Sequence, residues 1–130
     1  MTFMERWFDE VWNKGRESAI DEMAEPNAIA HGLGEDGGDI VGLENFKVFF
    51  RMFQAALTDI QVKVEDVVTE GDRTVARVKV SAKHTGESLG IPAKGNTVEF
   101  SGVSIARLKD GKIIEAWNHF DFPTMYKQMA

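Results

Sequence analysis

Cysteine is absent from this chain of 130 residues, which excludes disulfides and thiol chemistry and fits a cytoplasmic location. No apolar run approaches the roughly 20 residues that cross a bilayer. The basic-then-apolar pattern of an export signal is missing too, since Glu5, Asp9 and Glu10 fall early. Basic residues are in deficit: 15 Lys and Arg stand against 21 Asp and Glu, a net charge of -6 at pH 7. A nucleic-acid binder needs a basic face, so neither nucleic acid nor membrane is expected as a partner. Internal repeats, low-complexity tracts and linkers are lacking as well, which leaves one domain over residues 1–130, large enough for a core without staples.

What is present is patterned. Thr2-x-x-Glu5 is a capping box, and Phe3, Trp7, Phe8, Val11 and Trp12 then share a helical face that ends at Gly15. A short second helix, about Glu17 to Met23, stops before Pro26. Ala28 to His31 reads as a short strand, with His31 either facing inward or ending the strand. The following Gly32-Leu33-Gly34-Glu35-Asp36-Gly37 contains G-x-G-x-x-G, but a phosphate there would meet Glu35 and Asp36 and no long buried strand precedes it. An acidic loop is the better reading. Leu43, Phe46, Phe50, Phe53 and Leu57 recur at helical spacing over about 42–56.

The period then switches to two. Ile60, Val62, Val64, Asp66 and Val68 alternate with Gln61, Lys63, Glu65 and Thr69, Gly71-Asp72 turns the chain, and Ala76, Val78, Val80, Ala82 and His84 form the apolar face of the next strand. A glycine-rich loop, Gly86 to Gly95, precedes a strand from Thr97 to Leu108. Asp110-Gly111 is a hairpin turn, because glycine takes the positive φ that such turns need. In the strand after it, strict alternation puts Ile113, Glu115, Trp117, His119 and Asp121 on one face, taken as inward. Met125 and Tyr126 mark a tail helix. The expected fold is α+β: three helices packed on a strongly curved antiparallel sheet, an open cone (α+β barrel) with an internal pocket.

Several residues carry a resemblance. They are Val11-Trp12-Asn13, Gly71-Asp72-Arg73, His84-Thr85-Gly86, Gly90-Ile91-Pro92 with Gly95, and Asp110-Gly111-Lys112-Ile113 leading to Trp117 and Asp121. Through them the chain resembles the SnoaL-like polyketide cyclases of the nuclear-transport-factor-2-like (ketosteroid-isomerase-like) superfamily, over nearly its whole length. One departure is Thr58-Asp59, where the family usually has Pro-Asp. The resemblance implies acid/base chemistry on a ketone or ester, such as an aldol ring closure, without metal or organic cofactor. It matches Asp121 to the family's catalytic aspartate, with Trp117 as its wall and with His119 and His84 orienting substrate or sharing the proton.

Desolvation raises an aspartate's basicity, which suits that work. Asp121 is equally placed to cap the tail helix at Phe122. Candidate contacts for a small hydrophobic or polar-aromatic ligand are Trp117, His31, Phe50, Phe53, Trp12 and Ser104. A metal is not expected, since His31, His84 and His119 come from distant segments without ligand spacing. Two alternatives stand: a non-catalytic small-molecule binder, and another cofactor-free isomerase or hydrolase of the superfamily. Arg77 and Arg107, expected to face outward, count against an epoxide hydrolase. A homodimer is expected through the outer sheet face, where Val67, Val75, Val103 and Phe120 are taken to interrupt the polar pattern. The resemblance points the same way.

Overall fold

The first turn forms where the capping box directs it. In the computed structural model, which describes residues 1–130 and every side chain but that of Glu35, Thr2 Oγ1 accepts from the Glu5 amide and the Glu5 carboxylate accepts from the Thr2 amide. Helix α1, Phe3–Trp7, opens there and runs into a π-helical turn over Phe8–Asn13. That wider turn brings Asn13 against the edge of the sheet. Its Oδ1 accepts from the Val62 amide at 2.6 Å and its Nδ2 donates to the Val62 carbonyl, so an edge residue has its backbone satisfied. Helix α2 is Ser18–Met23 and α3 is Leu43–Ala56. Phe46, Phe50, Phe53 and Ala56 of α3 are buried, as the helical spacing requires.

The strands are β1 Ala24–His31, β2 Ile40–Val41, β3 Leu57–Glu70, β4 Arg73–His84, β5 Thr97–Lys109 and β6 Lys112–Phe120, with helix α4 at Phe122–Met129. They make one six-stranded sheet in the order β2-β1-β6-β5-β4-β3. Strands β3 to β6 are the expected meander. The sheet is wider than expected because β1 adds in parallel beside β6 and carries β2 antiparallel on its far edge. The inner face, including Ala76, Val78, Val80, Val98 and Ala106, closes on the helices, and Met125 and Met129 of α4 are fully buried against it.

Two strand irregularities decide which residues face inward. Between Arg107 and Leu108 on β5, the partner on β6 jumps from Glu115 to Ile113, so Ile114 is an extra residue. A single inserted residue reverses every side chain beyond it. Ile113 points inward, but past the bulge Ala116, Asn118 and Phe120 take the inner face while Glu115, Trp117 and His119 take the outer one. The expectation of Ile113, Glu115, Trp117 and His119 on one inward face is thereby corrected. On β3 a similar shift between Val64 and Asp66 turns Val67 inward, paired with the fully buried Ala76. Val67 and Phe120 therefore leave the outer face on which they were expected; Val75 and Val103 remain there.

Candidate functional site

Between the helices and the inner face lies a cavity of about 100 Å³. Aromatic rings, among them Trp7, Trp12, Phe46, Phe49, Phe53 and Phe100, share its wall with aliphatic side chains. They pack on each other, with Trp12 at 6.2 Å from Phe49 and 6.4 Å from Phe53 in edge-on contacts. Phe120 and Phe122 stack at 5.8 Å where β6 passes into α4. Phe50, expected to touch a ligand, is buried behind this wall against Trp12 at 5.3 Å and does not line the cavity. Trp12, Phe53 and Ser104 do line it.

Beside the indole N–H groups of Trp7 and Trp12, the wall's polar side chains are Ser104 on β5 and Asn118 on β6, paired across the sheet. Ser104 Oγ donates to Asn118 Oδ1 at 2.8 Å, and Asn118 Nδ2 donates to the His31 carbonyl at 3.1 Å. The amide's orientation follows from its partners, because a carbonyl can only accept. Among the described residues no ionisable side chain lines the cavity. Asn118 was not among the sequence candidates, since alternation without the bulge placed it outside.

His84 points to the inner face, as its position on β4 requires, but does not line the cavity. It is fully buried, and neither ring nitrogen has a hydrogen-bond partner among the described residues.

The remaining candidates meet on the other side of β6, in an open cleft lined by His31, Asp39, Trp117, His119 and Asp121. His31 Nδ1 lies 2.7 Å from Asp39 Oδ1 and His31 Nε2 lies 2.7 Å from Glu115 Oε2. Carboxylates can only accept, so the ring makes both hydrogen bonds at once in its imidazolium form. Hydrogen bonds from Glu115 and then Asp39 hold the His31 pKa above its ordinary value. The ring stacks on Trp117 at 5.6 Å, and the Arg73 guanidinium lies 5.2 Å from the same indole. Both imidazole nitrogens are thus committed to structure, and neither is free to shuttle a proton. The segment leaving His31 presses on β6, where a Cβ at Gly32 (φ +86°) would overlap the Asn118 carbonyl oxygen.

Asp121 is exposed and caps α4. Its Oδ1 accepts from the Thr124 amide at 3.2 Å and its Oδ2 accepts from the Thr124 hydroxyl at 2.6 Å. It stands between Phe120 and Phe122, both of the cavity wall, and is itself among the residues that line the outer cleft. The inward projection expected of Asp121 and His119 is corrected by the same bulge at Ile114. Among the described residues no three His, Cys, Asp or Glu side chains converge as metal ligands. Arg77 and Arg107 point outward to carboxylates, Arg77 to Asp66 and Glu65, Arg107 to Asp72. Among the described residues no helix is long and apolar enough to cross a membrane.

Comparison with known proteins follows the fold over its length. A family model described as SnoaL-like polyketide cyclase matches residues 2–129. The chain is 23% identical over 123 residues to the aklanonic acid methyl ester cyclase DnrD of Streptomyces peucetius, covering 93% of this chain and 84% of that one. Among solved structures, IdmH of Streptomyces antibioticus is 26% identical with a TM-score of 0.83, over 97% of this chain and 94% of that one. A SnoaL-like protein of Jannaschia sp. CCS1 is 25% identical with a TM-score of 0.85, over 98% and 88%. The α+β cone expected from the sequence is borne out.

Proposed function

The chain belongs to the SnoaL-like polyketide cyclase family, and from that premise we propose that its cavity holds a compact, mainly apolar small molecule whose one polar end meets Ser104 and Asn118. The observation that carries this reading is the wall itself: aromatic and aliphatic throughout, with one hydrogen-bonded polar pair. Pockets of this kind take their affinity from apolar burial and their orientation from few polar groups. The size sets a limit. A dry apolar cavity of about 150 Å³ takes up benzene; at about 100 Å³ this one is smaller, so it admits a single ring only as its wall yields.

Titration calorimetry with toluene tests it. The expected Kd is on the order of 0.1–1 mM, given the small number of ligand atoms. Ala116→Leu adds volume to the cavity wall and is expected to weaken binding about tenfold. Absence of binding to the unaltered protein removes the reading.

The family relationship favours a second step at the same place. In this reading the protein is a cofactor-free acid/base enzyme acting on a ketone or ester, for instance by an intramolecular aldol closure, and Asp121 is the group that moves the proton. Its position between Phe120 and Phe122 supports the idea, because a substrate longer than the cavity would emerge past those rings. His119 lines the same cleft and would orient the emerging carbonyl.

A second copy of the chain is the proposed cover for the outer sheet face. Register places His31, Trp117, Ile105, Val75 and Val68 in one row across five strands. The next row is Glu115, Arg107, Arg73 and Glu70. A ridge that is apolar from Trp117 to Val68 and ends at the polar His31 ring, beside a row of both signs, suits a two-fold-related copy, whose acids can face these bases. Val68 is 65% exposed, which leaves that end of the ridge uncovered in the single chain. Light scattering is expected to give twice the chain mass, and Trp117→Glu to give one chain mass. A monomer at micromolar concentration for the unaltered protein would end this idea.

A further inference from the structure

An asparagine amide has two N–H groups and two acceptor lone pairs. At Asn118 one N–H is used by the His31 carbonyl and one lone pair by the Ser104 hydroxyl. One donor and one acceptor remain, on adjacent atoms of a side chain that lines the cavity. Ser104 has given its only hydrogen to Asn118 and can now only accept. The remaining capacity of the pair is thus mixed, a donor beside acceptors. A ligand group that only accepts would leave the acceptors facing its lone pairs or apolar carbon.

Charge narrows the class further. A buried anion needs a counter-charge or several donors. Among the described residues the wall offers no cation, and the polar pair has a single N–H to give, with only the neutral indole N–H groups of Trp7 and Trp12 besides. We propose that the cavity recognises a neutral group carrying donor and acceptor side by side, of the carboxamide or lactam type, attached to a ring-sized apolar body, and that it rejects the matching carboxylate. This rests on the small-molecule reading above and deepens it by naming the polar end. It follows from the committed geometry of Asn118, which is fixed from two sides by β1 and β5.

Replacing Asn118 endangers the fold, so the test keeps the chain unaltered and varies the ligand. Calorimetry at pH 7 would compare benzamide, its near-isostere acetophenone, benzoate, and toluene as the apolar control. Benzamide is expected to bind about tenfold more tightly than acetophenone, the ratio for one hydrogen bond made or left unmade. Benzoate is expected to show no binding. Acetophenone equalling benzamide, or benzoate binding as well as either, overturns the proposal. Binding of toluene without benzamide also overturns it, while leaving the apolar cavity reading in place. Failure of both toluene and benzamide removes that reading and this inference together.

Discussion

Asn118→Leu is expected to lower stability by about 1–5 kcal/mol although the new side chain has nearly the same shape. Two groups lose a partner at once: the buried Ser104 hydroxyl, which donates to Oδ1, and the part-buried His31 carbonyl, which accepts from Nδ2. Each buried group left unsatisfied costs about 1–3 kcal/mol. The added apolar contact of leucine returns on the order of 1 kcal/mol. In a domain of this size the net loss should lower the melting temperature on the order of 10 °C. Ser104→Ala alone should cost about 1–2 kcal/mol, because it strands only Asn118 Oδ1. The double substitution should then cost less than the sum, since the alanine removes one of the groups that leucine strands. Urea unfolding of the three variants measures all of this. A sum that is strictly additive, or Asn118→Leu with wild-type stability, would show that the bridge from β5 through β6 to β1 holds nothing.

That prediction turns on a residue the sequence did not single out, and the reason is physical. Helix α3 was legible at 42–56 because five apolar residues keep one period, and it forms over Leu43–Ala56. The Asp110-Gly111 hairpin and the β3–β6 meander were legible for the same kind of reason, local pattern reinforced by local turn chemistry. The parallel docking of β1 on β6 was not, because it joins segments far apart in the chain and leaves no local mark. Facing was the costlier miss. Alternation propagates from wherever it is started, so one bulge at Ile114 exchanged an expected inner set of Trp117 and His119 for an actual one of Ala116, Asn118 and Phe120. The only local sign is the doubled apolar pair Ile113-Ile114 in a strand that otherwise alternates. Ser104 lies on β5 before any irregularity and was placed correctly in the wall. His31 was left open between interior and strand end; it ends β1, with its ring on the outer face between two carboxylates.

Asp121 separates the two steps of the proposed function. Its carboxylate holds the first turn of α4 through Thr124, accepting from the amide at 3.2 Å and from the hydroxyl at 2.6 Å. Asparagine is as good an N-cap as aspartate, whereas alanine costs about 1 kcal/mol. Asp121→Asn is therefore expected to melt with the unaltered protein, and Asp121→Ala to melt a few degrees lower. Toluene should bind all three alike, because the carboxylate does not line the cavity. Turnover is where they part. Asparagine cannot exchange a proton with carbon or oxygen near neutral pH, and a positioned acid/base group contributes about 10²–10⁴-fold in rate. On the acid/base reading, with a ketone or ester substrate in hand, both variants should lose kcat by that factor and keep KM. The cap cannot produce this pattern, since Asp121→Asn preserves it. A substrate turned over by Asp121→Asn at the unaltered rate would leave Asp121 as a helix cap and the cavity as a binding site.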